Sequence, residues 1–347
     1  MSHYLAGDIG GTKTRLAVIE VSVTQVQIVH EISYRSRDYA TFEELLDDFL
    51  SRTKCFFSPR SSPLAGETGQ IHIHHAAFGI AGPVQGKVVK TTNLPWRIDA
   101  DALQHRFDCP HCTLLNDLEA TAYGLPALGE NDLYTLQSGS PGASGNAAVI
   151  AAGTGLGEAG LFWDGRCHHP FATEGGHASF SPGNELEMAL LRHLQQQHQH
   201  ISWERVVSGM GLLSLHEFLC MYRHAEAPQW LVEKMRNGDA AAAIAKAALS
   251  GRDDICVETL NWFVRLYGAE AGNLALKVMS RGGVYLGGGI APKILPLLQN
   301  GAFLDAFVNK GRMRRLLEAI PVKVILNDRA ALFGPALRAA QLDLAAS

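Results

Sequence analysis

The sequence has no apolar run of the roughly 18 residues that a membrane-spanning helix needs. Its first residues, MSHYLAGDIGG, also lack the basic flank and long apolar stretch of a secretory signal. A net charge of -4 gives no electrostatic reason to expect nucleic acid or an anionic membrane as a partner. We therefore expect a cytoplasmic protein with neither kind of partner.

Cysteine is scarce as well, because six residues in a chain of 347 are too few for a disulfide framework. Cys109 and Cys112 form the motif CPHC, but no second cysteine pair completes a zinc site. We interpret this motif as a surface turn before the strand TLLND. His72 and His74 alternate along a predicted strand, and CHH at residues 167–169 is another stretch whose side chains could bind a metal. Two histidines on one strand without a nearby carboxylate are typical of a polar sheet face.

The composition is typical of a globular α/β protein. Hydrophobic residues make up 47% of the sequence and charged residues 18%, and there are 35 glycines. The length predicts two domains, each with its own hydrophobic core. A single α/β barrel is also compatible with the length alone.

The first third of the chain alternates predicted strands with single helices, which indicates a mixed or largely parallel sheet. The runs YLAGDIGG and TRLAVIEVSV are predicted strands on either side of a glycine turn, and QVQIVHEIS continues with the strand period of two. Thr41 and Glu44 form a capping box that begins an amphipathic helix, TFEELLDDFLSR. Residues 54–70 are rich in Ser, Pro and Gly and are predicted to form a loop.

Past about residue 118 the same pattern returns. AAVIAA, GTGLG and EAGLFW predict a second strand, glycine–threonine turn and strand, closed by a hairpin signal at Asp164 and Gly165. Residues 184–281 have a mainly helical pattern. After them, GVYLGGGIAPKILPLL predicts strand, glycine turn and helix, VKVIL predicts a strand, and RAALFGPALRAAQ predicts a closing helix.

The stretch GDIGGTKT, residues 7–14, differs from a P-loop at one position, where Thr12 replaces the last glycine. The context differs more, because a P-loop opens a helix and the residues after Lys13 form a predicted strand. GLGEAG at residues 155–160 matches the dinucleotide fingerprint, but a strand follows there too. This argues against an NAD-linked oxidoreductase.

A glycine–threonine hairpin can still bind phosphate, because its backbone allows close approach and its amides attract anions. Asp8 lies at the end of the first strand, where its carboxylate could hold Mg²⁺ through water. One such hairpin could equally be a turn without a ligand. The second hairpin and the third glycine turn, Gly287, Gly288 and Gly289, fit one nucleotide lying between two halves of similar topology.

Eight segments occur in a family-specific order along nearly the whole chain: DIGGTKTRLAV, GIAGPV, TTNLPW, LLNDLEATAYG, GTGLG, EGGHASF, ERVVSGMGL and GGVYLGGGIAPK. Together they resemble the bacterial ATP-dependent glucokinase family, within the hexokinase and actin-like ATPase superfamily. The resemblance implies a two-domain α/β actin-like ATPase (ribonuclease H-like) fold with duplicated mixed-sheet domains and an interdomain cleft. We expect a small domain of residues 1–116 plus 329–347, a large domain of residues 117–328, and a homodimer.

Asp117 follows the strand TLLND at the start of a predicted helix, a position that faces the ligand-binding edge of a sheet. By resemblance it is the general base that takes the proton from the sugar 6-hydroxyl. An ordinary aspartate is a weak base, so this role depends on positioning and on late proton transfer. The alternative is a helix N-cap, which suits aspartate equally well.

The resemblance also implies a set of sugar ligands. Carboxylates accept two hydroxyl protons each, and imidazole can donate or accept. Glu204 equally suits the first turn of a helix, and His177 alone would be an ordinary loop histidine. The predicted sugar-binding residues are Asn93, Asn116, Asp117, Glu174, His177 and Glu204.

On the nucleotide side, the resemblance implies three glycine-containing turns around ATP and its Mg²⁺. The residues expected to contact the nucleotide are Asp8, Gly10, Gly11, Thr12, Gly153, Thr154, Gly155, Gly287, Gly288 and Gly289. Lys13 is expected to face solvent or its hairpin partner rather than to act in catalysis. The segment EGGHASFSPGNELE has no cysteine, unlike the related repressor and sugar-kinase group, so no structural zinc is expected.

These features predict transfer of the γ-phosphoryl group of ATP to glucose, giving glucose 6-phosphate and ADP, with closure of the two domains on sugar binding. A kinase for another hexose or an amino sugar remains an alternative, since the same ligands could serve it. A sugar-sensing regulator without catalysis is a second alternative. The presence of Asp117 and of the complete glycine turns argues against it.

Overall fold

The protein is described by a computed structural model that covers residues 2–22, 25–53, 73–91, 94–107 and 109–346. The chain divides into two compact units, Met1–Gly129 with Arg329–Ser347, and Glu130–Asp328. Asn93 and the loop predicted at residues 54–70 lie outside the described residues.

The first unit is built on a mixed sheet in which the described strands take the order β3-β2-β1-β4-β8. β1 is antiparallel to β2 and parallel to β4, and β4 is parallel to β8. A second, smaller sheet has the order β5-β6-β7. The strands are β1 (Ser2–Ile9), β2 (Lys13–Val21), β3 (Val26–Arg35), β4 (Ile73–Ile80), β5 (Val84–Gln85), β6 (Val88–Lys90), β7 (Arg97–Asp99) and β8 (His111–Asn116).

Helices cover both faces of the main sheet. The helices of this unit are α1 (Phe42–Arg52), α2 (Ala100–Phe107), α3 (Asp117–Gly124) and α12 (Ala330–Ala346). Thr41 is the N-cap of α1, as predicted, because its Oγ1 accepts from Glu44 N at 3.2 Å. Glu44 Oε2 accepts from the backbone N of Ala40, one residue before the cap, at 3.1 Å, so the reciprocal bond of the predicted capping box is displaced by one residue. The apolar face of α1 is buried in one core cluster, and α12 packs on the sheet in another.

Glycine allows α3 and α12 to lie in close contact. An added Cβ at Gly124 would overlap the backbone of Ala330, and one at Gly334 would overlap the backbone of Ala120. This packing places α3 within the first unit. The boundary expected from the sequence, after residue 116, assigns α3 to the other domain.

The second unit repeats the sheet of the first. The order is β12-β11-β10-β13-β14-β9, with β10 antiparallel to β11 and parallel to β13, and β13 parallel to β14. The strands are β9 (Leu133–Gln137), β10 (Ala147–Ala152), β11 (Leu156–Trp163), β12 (His168–Thr173), β13 (Gly283–Gly287) and β14 (Val322–Ile325). The predicted α/β class with duplicated mixed sheets is therefore confirmed, with β9 as an additional antiparallel edge strand.

The helices of this unit are α4 (Glu185–Leu194), α5 (Gly209–Tyr222), α6 (Gln229–Arg236), α7 (Ala240–Leu249), α8 (Asp254–Val278), α9 (Leu295–Leu298), α10 (Ala302–Val308) and α11 (Arg314–Glu318). The long helix α8 lies in the core and donates a hydrogen bond from Tyr267 Oη to the carbonyl of Ile150 in β10 at 3.1 Å. No helix in the described ranges is long and apolar enough to cross a bilayer.

Candidate functional site

In the first unit, three parallel strands end at one edge of the sheet. Ile9 of β1 pairs with Ile80 of β4, and Ile80 pairs with Asn116 of β8. The residues that follow β1 are the hairpin at 10–12, and the residue that follows β8 is Asp117. The carboxyl ends of parallel strands are where α/β folds place their ligands. The structure thus brings the predicted phosphate hairpin and the predicted base to the same edge.

The turn at residues 10–12 is a hairpin and not a P-loop, as predicted, because β2 follows it directly. Gly10 N donates to the carbonyl of Lys13 at 3.1 Å and closes the turn. Ser36 stabilises the turn, since its backbone N donates to Thr12 O at 3.1 Å and its Oγ donates to Gly10 O at 2.7 Å. Thr12 and Lys13 are left exposed.

Asp8 has an ion-pair partner that the sequence interpretation did not include. Arg15 Nη2 and Nε both donate to Asp8 Oδ2, at 2.8 and 3.2 Å, and the Arg15 side chain is 8% exposed. The pairing of Asp8 with Arg15 across the β1–β2 hairpin could have been found from the register of that hairpin. Arg15 partly neutralises the carboxylate that was predicted to attract Mg²⁺.

The N-cap of α3 is Asn116. Its Oδ1 accepts from the backbone N of Leu118 at 3.0 Å and of Glu119 at 3.3 Å, and its Nδ2 donates to Gly82 O at 3.3 Å. The alternative interpretation of Asp117 as the N-cap is therefore wrong. Asp117 is the first helical residue, and its Oδ1 accepts from the backbone N of Leu118 at 2.9 Å.

In the second unit, two of the predicted glycine turns meet at the corresponding sheet edge. The turn Gly153–Gly155 follows β10, and Gly288 and Gly289 follow the neighbouring strand β13. Ile290 N donates to Ala152 O at 3.2 Å and ties the turns together. Gly288 has a φ of +78°, and an added Cβ there would overlap the backbone of Ala152. Glycine is required at this position.

The three predicted sugar ligands of the second unit lie together. His177 Nε2 is 3.9 Å from Glu174 Oε2, and His177 Nδ1 is 3.9 Å from Glu204 Oε1. Glu204 Oε2 accepts from the backbone N of Leu156 at 3.0 Å, and it lies where a Cβ at Gly155 would be. Glycine at 155 therefore lets a sugar-ligand candidate approach the predicted phosphate turn.

A histidine that was not predicted as functional holds this cluster. His200 Nε2 donates to the carbonyl oxygen of His177 at 2.9 Å, and Arg205 Nη1 donates to His198 Nε2 at 3.2 Å. Together with Glu204 and neighbouring residues, these side chains line an open cleft of about 480 Å³. Nothing in the local pattern of the glutamine- and histidine-rich residues 195–200 indicates a role from the sequence alone.

A buried carboxyl pair lies beneath the loop that carries Glu174 and His177. Glu158 of β11 is 2% exposed, and its Oε2 occupies the space that a Cβ at Gly175 would need. Burial, and secondly the charge of Glu270, raise the pKa of Glu158 to about 8. Asn273 Nδ2 donates to the Glu270 carboxylate at 2.7 Å, and Lys277 Nζ lies 3.5 Å from the same carboxylate. Both partners stabilise the charged form of Glu270. Burial raises the pKa of Glu270 as well, but these two partners favour its charged form, so Glu158 is the neutral member of the pair.

β8 begins at His111, inside the motif CPHC, so Cys112 lies within the strand and Cys109 precedes it. Burial raises the pKa of the Cys112 thiol. His72 and the side chain of His74 lie outside the described residues.

A family model described as Glucokinase matches residues 5–342 of this chain. The chain belongs to the glucokinase family. It is 44% identical to a glucokinase of Nostoc punctiforme over 356 aligned residues, which cover 99% of this chain and 100% of that protein. It is 39% identical to a glucokinase of a Synechocystis species, with 98% of each chain covered.

Solved structures agree with this assignment. A glucokinase from an Antarctic psychrotroph has a TM-score of 0.82 at 28% identity, with 98% of this chain and 99% of that chain covered. A ROK family glucokinase from Streptomyces griseus, solved with glucose and AMPPNP, has a TM-score of 0.64 at 23% identity, with 98% of this chain and 100% of that chain covered. The predicted actin-like ATPase fold of two domains is thereby confirmed.

Proposed function

We propose that this protein is an ATP-dependent glucokinase, which transfers the γ-phosphoryl group of ATP to the 6-hydroxyl of glucose and releases glucose 6-phosphate and ADP. The observation that carries the proposal is membership of the glucokinase family over residues 5–342, with curated glucokinases at 33 to 44% identity. The clustering of the candidate residues described above supports it.

Asp117 is the proposed general base. Its place after β8, at the same sheet edge as the Gly10–Thr12 hairpin, suits a group that must lie beside the transferred phosphoryl group. Phosphoryl transfer needs little covalent help from the protein, so the main task of this carboxylate is to orient the hydroxyl and accept its proton late in the step.

Glu174, His177 and Glu204 are the proposed sugar ligands from the second unit. Two separations of 3.9 Å leave these groups close enough for neighbouring hydroxyls of one sugar and too far apart for strong hydrogen bonds to each other. We propose Asn93 and Asn116 as further ligands. Asn116 Oδ1 already accepts two backbone N–H groups, so the second N–H of its amide is the group available to a hydroxyl.

The nucleotide would contact Gly10, Gly11 and Thr12 in the first unit and the turns at 153–155 and 287–289 in the second. Mg²⁺ would arrive with the ATP phosphates and neutralise the charge on their oxygens. Asp8 fits the role of a water-mediated ligand better than a direct one, because Arg15 already occupies Oδ2. We further propose a homodimer in the cytoplasm, on the family resemblance.

The test is a coupled assay of ADP release with glucose, mannose, fructose and N-acetylated hexosamines. We expect the highest kcat/KM with glucose, and no turnover of glucose would refute the proposal. Asp117→Asn should lower kcat by a factor of at least about 100 while glucose still binds. Lys13→Ala, an exposed change at the same sheet edge, is the matched control and should leave kcat within about twofold of the original.

A further inference from the structure

Two helices of the second unit bring four metal-ligating side chains together, away from the residues discussed above. His216 and Cys220 are one turn apart on α5, so they share a face of that helix. Asp253 is the N-cap of α8 and Cys256 is its third residue. α5 and α8 pack against each other in the core, which places the two pairs opposite one another.

Three of these side chains have ligand atoms close together, and the fourth, Cys220, lies beside His216. One atom each of His216, Asp253 and Cys256 lie within 4.8 Å of one another. Cys220 Sγ is 3.8 Å from His216 Nε2 and 3.9 Å from Nδ1. Zinc bonds of about 2.3 Å to sulfur and about 2.0 Å to nitrogen, at a tetrahedral angle, would separate these two ligands by roughly 3.6 Å. For Cys220 and His216 the observed separation needs an adjustment of only a few tenths of an ångström, and the other three atoms, grouped within 4.8 Å, would draw together on the metal.

His216 is buried without an ordinary partner. The residue is 2% exposed, and among the described residues the hydrogen-bond partner of its ring is the sulfur of Cys220, a weak acceptor and donor. Buried imidazoles otherwise bond to oxygen or nitrogen, or bind a metal. Cys256 is fully buried, and Cys220 and Asp253 are partly exposed, which leaves an entry path from the surface.

We propose that His216, Cys220, Asp253 and Cys256 form a structural zinc site that joins α5 to α8. Two thiolates and one imidazole are the donors that Zn²⁺ prefers, and four protein ligands make a closed, structural site. Binding releases the protons of both thiols to solvent. The expectation that no structural zinc is present was based on the segment after His177, and this site uses other residues.

The site has a consequence for the proposed active site. α5 begins at Gly209, whose backbone N donates to Gly153 O at 2.8 Å in the predicted phosphate turn. A metal that fixes α5 against α8 also fixes the helix end that supports this turn. We therefore expect the zinc to stabilise the second unit without contacting substrate.

A second cluster provides a stringent control. Asp164, Cys167 and His169 lie on the β11–β12 hairpin with ligand atoms 2.7 to 3.6 Å apart, but all three are exposed. Asp164 Oδ1 also accepts the backbone N–H groups of Arg166 and Cys167 at 2.7 and 2.8 Å. Three exposed ligands on one turn make a weaker site than four on two packed helices.

The experiment measures zinc in the purified full chain by mass spectrometry after equilibration with Zn²⁺ and removal of free metal. We expect about one zinc per chain, and Co²⁺ in its place should show tetrahedral d–d bands and a thiolate charge-transfer band. Cys220→Ser should lose the bound metal or weaken its binding at least tenfold. Cys220 is partly exposed, so this substitution is a mild one, and circular dichroism would verify that the variant folds.

Cys167→Ser and the double variant Cys109→Ser, Cys112→Ser are the controls and should keep the zinc. Cys256→Ser is the second test variant and should behave like Cys220→Ser. Absence of tightly bound zinc from the original chain would overturn the proposal. Zinc that persists in Cys220→Ser, or that is lost in Cys167→Ser, would also overturn it.

Discussion

The buried pair Glu158 and Glu270 should make the stability of the second unit depend on pH, and Glu158→Gln should remove the part of that dependence that Glu158 contributes. Glutamine has nearly the shape of protonated glutamate and can donate to Glu270 in the same way. It also fills the same space beside Gly175. The substitution therefore isolates the effect of one ionisable proton.

The sign and size follow from the pKa values in the two states. The folded chain holds the pKa of Glu158 at about 8, against 4.5 in an ordinary glutamate. Below pH 4.5 the carboxyl is neutral in both states and the pair is fully stabilising. As the pH rises from 4.5 to about 8, the unfolded chain ionises first and the folded state loses stability. Each pH unit is worth about 1.4 kcal/mol, so the full loss is at most about 5 kcal/mol.

The assay is urea unfolding of the original chain and of Glu158→Gln at pH 5, 6, 7 and 8. The variant should match the original near pH 5 and become more stable than it by about 1 kcal/mol per pH unit up to pH 8. Glu185→Gln, at an exposed residue of α4, is the control and should show no such trend. Parallel stability curves for the original and Glu158→Gln would refute a proton on Glu158.

Three further substitutions test other parts of the structure. Thr41→Ala removes the N-cap of α1 and should lower the free energy of unfolding by about 1 kcal/mol in urea titrations, with kcat unchanged. Gly288→Ala forces a side chain into a left-handed conformation against Ala152 and should raise the KM for ATP at least tenfold while leaving that for glucose nearly unchanged. His200→Ala removes the hydrogen bond to the carbonyl of His177 and should raise the KM for glucose about tenfold with a smaller effect on kcat. Unchanged kinetic constants in either of the last two variants would contradict the assigned contacts.

Features that depend on neighbouring residues could be predicted from the sequence. The N-cap at Thr41, the strand after Lys13 and the hairpin at Asp164 and Gly165 are each set by residues close by in the sequence. The duplication of the sheet could be predicted because the same strand and turn pattern occurs twice in the sequence. Hydrophobic periodicity and turn chemistry are local signals, and the structure confirms them.

Features that depend on distant pairs could not be predicted. Glu158 lies in a glycine-rich stretch and Glu270 in the middle of a helical pattern, and neither sequence neighbourhood indicates that the other carboxyl is adjacent. The same holds for His216 with Asp253 and for His200 with His177. The edge strand β9 has only five residues, too few for its alternation to be distinguished from a loop.

The start of α3 shows how the structure decides between two chemical interpretations of one residue. From the sequence, Asp117 was equally suited to cap the helix and to act as the base. Asn116 fills the capping position, so the need for a cap no longer explains an aspartate at 117. A carboxylate in the first turn of a helix also interacts favourably with the helix dipole, so this position suits an anion that orients a hydroxyl. Asp117 would thus orient the sugar hydroxyl as well as accept its proton, and Asp117→Asn, which keeps the shape and loses the charge, should lower kcat at least about 100-fold with little change in glucose affinity.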